Sequence, residues 1–379
     1  MATTFKTFLN NDVAATKTML HEAIPITGSL VSGTYGGDAA ALGSEQHIKS
    51  YSHGMFQSVY DYPYLSSSAN HIFDIAVGIS PRANLYGTTT SQKSKKTNIY
   101  NQMAQVLVGY DHTGSIRDFD EDGDLTGETS GTKLKEVFFL NFSRLLTKDE
   151  VKKGSFQLEL GVHDDLNNDD RRQFTSRIRL TDKSGSDGFY VNSPAGEYGV
   201  LYANSTANGY RLEGETATSW GFPCGLIYYQ AGIAVVSGSV FNKENVGGIL
   251  ENDHGGTELD EDTTGYTGFN MITGSTVDTV ANAVRGRIYS ISFNNTTELN
   301  SSIYFCRANH NDFNYSSNPT YLTGSKIRVK ANAFENPVTY ITTVGLYSAQ
   351  NELLAVAKLS EPIKKDPSTE LTFRVRLDY

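Results

Sequence analysis

The sequence predicts a mainly β protein of the α+β kind: a few helices in the N-terminal part, followed by antiparallel β-rich domains. Three observations predict it. First, the stretch Leu371 to Tyr379 alternates strictly. Leu371, Phe373, Val375, Leu377 and Tyr379 fall on one side, and Thr372, Arg374, Arg376 and Asp378 on the other, which is the period of a half-buried strand. Second, short apolar runs bounded by turn residues recur from Glu136 onward. Third, Gly, Ser, Thr, Asn and Tyr are abundant, with 22 Tyr against one Trp. That bias suits turns and sheet faces.

An N-terminal mixed helix and extended domain is expected over residues 1–133. Asn11 or Asp12 can cap a helix that carries Val13, Leu20 and Ile24 on one side and ends at Pro25. The aromatic stretch 53–78 is expected as short helical and extended pieces around Phe56, Tyr60, Tyr62 and Tyr64. Lys93, Lys95 and Lys96 read as a solvated basic loop. Ile99, Met103, Val106 and Leu107 stand at helical spacing, so a second helix is expected over 98–108 with Gly109 as its C-cap.

A β-rich middle domain is expected over 134–241. Val137 to Phe142 is an apolar run, and Phe156, Leu158 and Leu160 alternate. Ile178 to Leu180, Tyr198 to Tyr202, Leu226 to Tyr229 and Ile233 to Val236 continue as strands, the last two joined by a tight turn at Gln230 to Gly232. A helical turn is expected near Leu146 to Gly154. Residues 242–286, rich in Gly and acids, read as an insertion or linker with a short helix over Thr276 to Val284. Residues 287–379 form a C-terminal β module. It opens at Arg287 to Phe293 and contains a hairpin, Pro337 to Tyr347 and Glu352 to Lys358, turning at Ser348 to Asn351. Helices are thus expected largely before residue 110. The final strand, with no segment after it, is expected to pack in the module or dock a neighbour.

The formal net charge of −10 argues against nucleic acid as a partner, because a backbone binder needs a basic face to displace counterions. The same balance disfavours an anionic membrane surface, and no run is long enough to span a bilayer. Cys224 and Cys306 lack metal-ligand spacing and lie in apolar strand patterns, where free Cys acts as a small hydrophobe.

The sharpest local motif is Asp118-Phe-Asp120-Glu-Asp122-Gly-Asp124-Leu-Thr-Gly-Glu128. Alternating carboxylates and a Gly match the first part of a calcium loop, since calcium takes six to eight hard oxygen ligands. Asp118, Asp120, Asp122, Asp124 and Glu128 are the candidate ligands. The match breaks at its end, where the bidentate Glu is due at Thr129 and Glu128 stands one place early. An acidic solvated turn is the competing reading. The acids from Glu251 to Asp262, and His163-Asp-Asp165 with Asp169-Asp170, have no ligand spacing and read as loops. No nucleophile elbow, HExxH or phosphate-binding glycine loop is present, so the expectation is a protein that is not an enzyme, without a catalytic residue or an organic cofactor. Tyr60, Tyr62, Tyr64, Tyr228 and Tyr229 suit sheet packing first, and interfaces or sugar stacking second.

The wording TTVGLYSAQNELLAVAKLSEP at 342–362, followed by ELTFRVRLDY at 370–379, resembles a hairpin module in the virion structural proteins of tailed bacteriophages. FNYSSNPT at 313–320 resembles a motif of structural proteins in large contractile-tailed phages of marine bacteria. KKGSFQLEL, GEYGVLY and GLIYYQAGIAVVSG, between residues 152 and 238, are similar to the same proteins more loosely. The resemblance implies a virion part assembled in the host cytoplasm, in the tail or baseplate region. Its partners are then other virion structural proteins, in multiple copies of a symmetric assembly. A neck or capsid-associated position, and a module that binds host glycans as a receptor, are the alternatives.

Overall fold

β-Branched and aromatic runs broken by turns give an antiparallel sheet, and the protein is mainly β. The computed structural model describes residues 5–27, 47–83, 90–123, 133–146, 149–161, 177–182, 188–204, 221–243, 247–248, 250, 267–316, 319, 322–323, 326–327, 334 and 336–378. In chain order the first elements are β1 (Val13–Thr27), β2 (Ile48–Ser50), β3 (Phe56–Tyr60), β4 (His71–Ile79), helix α1 (Ser91–Leu107), β5 (Glu136–Asn141), the single turn α2 (Ser143–Leu146) and β6 (Glu150–Val151). Then come β7 (Gln157–Gly161), β8 (Arg177–Thr181), β9 (Tyr190–Ser193), β10 (Gly196–Ala203), β11 (Phe222–Tyr228) and β12 (Ile233–Ser237). The last are α3 (Gly268–Gly274), α4 (Val277–Arg287), β13 (Ile288–Ala308), β14 (Thr339–Tyr347), β15 (Leu353–Lys365) and β16 (Leu371–Asp378). Short two-residue ladders, such as Phe119–Asp120 with Lys133–Leu134, and the 3-10 turns Asn10–Asp12 and Gly238–Phe241 complete the list.

The chain divides into a large unit, Leu20–Thr297, and a terminal unit, Met1–Met19 with Glu298–Tyr379. These boundaries differ from the expected 1–133, 134–241, 242–286 and 287–379. The reason is hydrogen bonding across the expected borders. β4 pairs β5 from Asp74↔Asn141 to Ile79↔Glu136, and β5 pairs β12, so the first two expected domains share one sheet.

In the large unit the sheet runs from the first residues of β13 through β7, β8, β10, β11, β12, β5, β4 and β3 to β2. β11 and β12 are buried along almost their whole length. Near-continuous apolar sequence is what a strand covered on both faces requires. Tyr190, Tyr198 and Tyr228 stack in a row with ring centroids 5.4 and 5.1 Å apart. α1 and α4 pack against β4, with Tyr100, Leu107, Val280 and Ala281 fully buried.

Three expectations are corrected. The first expected helix is β1. Val13 and Leu20 are exposed while Ile24 packs against the core, so the stripe that suggested a helix does not share one buried face. Val13, Thr16, Thr18, Ile24 and Ile26 are β-branched and lose rotamer freedom in a helix. Asp12 still caps locally. It ends a 3-10 turn, Asn10–Asp12, and its carboxylate accepts the Leu9 N–H at 3.0 Å.

Next, α1 starts earlier than expected. Thr90 accepts the Lys93 N–H at 3.3 Å, so the lysine run is the first part of a helix and no loop. Lys96 is fully buried, and its Nζ donates to the carbonyls of Ile272 and Ser275 at the end of α3. That is the polarity a helix C-terminus favours for a cation. Burial, helped by Lys93, pushes the Lys96 pKa down to about 8. The expected stop holds: Gly109, at φ +85°, donates its N–H to the Ala104 carbonyl at 2.9 Å.

Finally, helices continue beyond residue 110. α3 lies inside the stretch read as a linker and is not expected, whereas α4 covers the short helix expected over Thr276 to Val284 and runs on to Arg287; Val277, Val280, Ala281 and Val284 join the core. Thr276 caps α4 by accepting the Thr279 N–H at 3.1 Å.

Candidate functional site

The acidic loop is placed by aromatic side chains. The Tyr190 hydroxyl donates to the Asp122 carbonyl at 2.9 Å, and the Tyr198 hydroxyl lies 2.7 Å from the Gly123 carbonyl. Of the candidate calcium ligands, Asp118 accepts from the Ser80 hydroxyl at 2.9 Å and from Arg82 at 3.0 Å. Asp120 is fully buried and ion-paired with Lys133. Burial, followed by the opposing pull of Lys133 and the neighbouring Asp122, leaves the Asp120 pKa raised to about 6. Asp122 is exposed. Asp124 and Glu128 lie outside the described residues, as do the acids of 251–262 and those from His163 to Asp170. Among the described residues no three His, Cys, Asp or Glu side chains converge as a metal group. The two inner carboxylates answer to Arg82 and Lys133, which supply positive charge from neighbouring strands and turns.

Two further polar sets lie in the large unit. Asp74 accepts the Ser58 hydroxyl at 2.5 Å and lies 2.6 Å from Nε2 of His71. The carboxylate stands between hydroxyl and imidazole, whereas activation of a serine needs the imidazole in the middle. The set joins β3 to β4. Beside it, Tyr60 and Tyr64 pair at 6.2 Å, and the Lys49 ammonium lies over the rings of Tyr51 and Tyr64 at 4.8 and 5.9 Å. Tyr62, by contrast, is exposed, and Tyr228 and Tyr229 are core side chains. The second set is Asp182, fully buried, which takes backbone N–H groups of Gly154 and Phe156 at 2.7 and 2.9 Å.

The terminal unit carries the most unusual surface. β16 pairs β13 from Ser301↔Asp378 to Ala308↔Leu371. Its burial alternates as the sequence predicted, with Val375 innermost. β1 also borders β13, and Asp12–Arg307 and Lys17–Glu298 form ion pairs. β14 and β15 form a separate two-stranded ribbon. Its turn residue Asn351 has φ +66°. The described buried apolar side chains of this unit are Ile303, Ala308, Leu346 and Val375, each between 3% and 9% exposed. Among the described residues, fifteen of the twenty-one large exposed apolar side chains belong to it, including Tyr340, Tyr347, Leu353, Leu354 and Val356. Exposed apolar side chains that form one patch mark contact surfaces. The sequence held a signal for it. Leu353 and Leu354 are adjacent, and Tyr347 and Val356 fall out of phase with Leu346 and Ala355, so one buried face cannot hold them all.

Among the described residues no helix is long and apolar enough to cross a membrane. No family model matches the chain, and neither a curated protein nor a solved structure is similar to it at a significant level.

Proposed function

We propose that this chain is a structural component of a tailed-phage virion, in the tail or baseplate region, and that it works by protein–protein assembly. The observation that carries the reading is the crowding of exposed apolar side chains on the terminal unit, in the stretch whose wording resembles virion proteins. A unit whose described apolar side chains are so little buried gains stability when other chains cover it. The large unit supplies the opposite property, a sheet with a dense core that holds its shape. One unit with a dense core and another rich in exposed apolar side chains suit a part that holds geometry among several neighbours.

Immunogold labelling of purified particles of the parent phage tests this. Label at the tail end is expected. Particles without label anywhere overturn the reading, and label confined to the head or neck moves the protein to that position.

A further inference from the structure

We infer that the ribbon is completed by a second copy of this chain, which pairs along β14 to join two ribbons into a four-stranded sheet in the order β15, β14, β14, β15. The inference rests on the assembly reading above and names the first partner of that surface. Among the described residues the ribbon has two strands only, and a lone two-stranded hairpin is at best marginally stable in water. Three or more strands with an apolar face are stable.

The two edges of the ribbon differ in kind. β15 carries Lys358, Glu361, Lys364 and Lys365 as well as Pro362. The register also breaks there, with Ile341 opposite Ile363 but Thr343 opposite Lys358. Charge, proline and a bulge are the features by which natural sheets guard an edge. β14 reads Thr-Tyr-Ile-Thr-Thr-Val-Gly-Leu-Tyr, with no charge and no proline. An unguarded edge of that kind invites a further strand. Because it is neutral, its own copy meets it without the like-charge penalty that opposes identical charged strands. A two-fold pairing consumes both unguarded edges and leaves outside only the guarded ones, so association closes at two. Tyr340 and Tyr347, both exposed in the single chain, then lie at the seam of the joined sheet.

Light scattering on the full-length chain is the test, with a mass twice 41.5 kDa expected. Thr343 is the central residue of β14. Thr343→Lys sets two like charges against each other at the two-fold axis and is expected to weaken the dimer by about tenfold or more. Thr343→Val keeps it. Thr343→Cys, oxidised, is expected to give a covalent dimer while the native chain gives none, and this readout survives if the lysine variant folds poorly. A native chain that is monomeric at about 100 µM, or a dimer indifferent to Thr343→Lys, overturns the inference. So does a chain that associates only when another virion protein is added. Self-pairing and the assembly reading fail separately: a monomer that labels particles removes the first alone, and a dimer absent from particles removes the second alone.

Discussion

The carboxylate of Asp182 accepts the backbone N–H of Phe156 at 2.9 Å in the interior of the large unit. Its other oxygen takes the N–H of Gly154 at 2.7 Å. One residue after β8 thereby ties down the turn that leads into β7. The arrangement leaves a carboxylate in an apolar setting, and burial, opposed by the Gly154 N–H and the Tyr229 hydroxyl, raises its pKa to about 6.

The consequence is a pH dependence with a definite sign. A carboxyl whose folded pKa lies above its unfolded value stabilises the fold below the unfolded pKa, and that stability is lost as pH rises through the folded one. The window runs from the ordinary aspartate value of 3.8 to about 6. The loss across it is about 3 kcal/mol for this group. Asp182→Asn cannot accept both N–H groups and is expected to cost about 1–3 kcal/mol. Its deficit should shrink as pH rises from 4 to 7, because only the native protein pays for ionisation. Denaturant titrations of both proteins across that range check this. A deficit that grows with pH would count against it.

Gly199 is held small by Tyr229. A Cβ at residue 199 would stand 2.2 Å from the Tyr229 hydroxyl oxygen. Gly199→Ala is therefore expected to destabilise by about 1–3 kcal/mol, the usual range for overpacking a core. In a Tyr229→Phe background the clash loses its closest atom, so the same substitution should cost less. A double-mutant cycle by thermal unfolding reads the coupling. Equal costs in both backgrounds would show that the ring, at 3.1 Å, decides the matter.

Lys133 matters through Asp120. Lys133→Met removes the cation paired with a fully buried carboxylate. Breaking one partner of such a pair costs about 3–5 kcal/mol. The expected loss is largest above the folded pKa of about 6 and smaller at pH 5, where Asp120 takes up a proton. Adding Asp120→Asn to the variant should recover much of the stability at pH 7.5. Urea midpoints of the three proteins are the measurement.

The terminal unit should unfold before the large one. Among the described residues its buried apolar side chains are few, whereas Phe73, Val77, Leu107, Phe139 and Leu226 of the large unit are fully buried. Removing residues 371–379 takes away β16 and its ladder to Ser301–Ala308. It also removes Val375, whose burial is worth about 1.5–3 kcal/mol. Limited proteolysis of the truncated chain is expected to cut rapidly on the N-terminal side of Met19 and beyond Glu298, leaving a resistant core near residues 20–297. Dilution should speed the cuts in the intact chain. Cleavage that begins inside the large unit would reverse the stability order assumed here.

Local sequence determined the elements whose signal is self-contained. Alternation over Leu371 to Asp378 gave β16 and its inner face, because side chains on a strand repeat every second residue. The apolar runs at Val137, Leu226 and Ile233 gave strands buried on both faces, and Gly109 ended α1, since few residues besides glycine take its positive φ. Tertiary structure decided the rest. Val13 to Thr27 carries a helical spacing, yet it forms a strand because β13 offers backbone partners and the stripe shares no single buried face, Val13 and Leu20 being exposed and Ile24 packed on the core. Lys96 looks solvated in sequence and is buried because the carbonyls of Ile272 and Ser275 come to it from 176 and 179 residues away. Asp118 and Asp120 read in sequence as candidate calcium ligands or an acidic solvated turn, and it is the fold that sets Arg82 and Lys133 against them. Exposure of the β14–β15 ribbon likewise follows from its pairing, which among the described residues stops at two strands. Period and turn chemistry act over a few neighbouring residues, whereas partners and burial depend on contacts between segments that only the folded chain brings together.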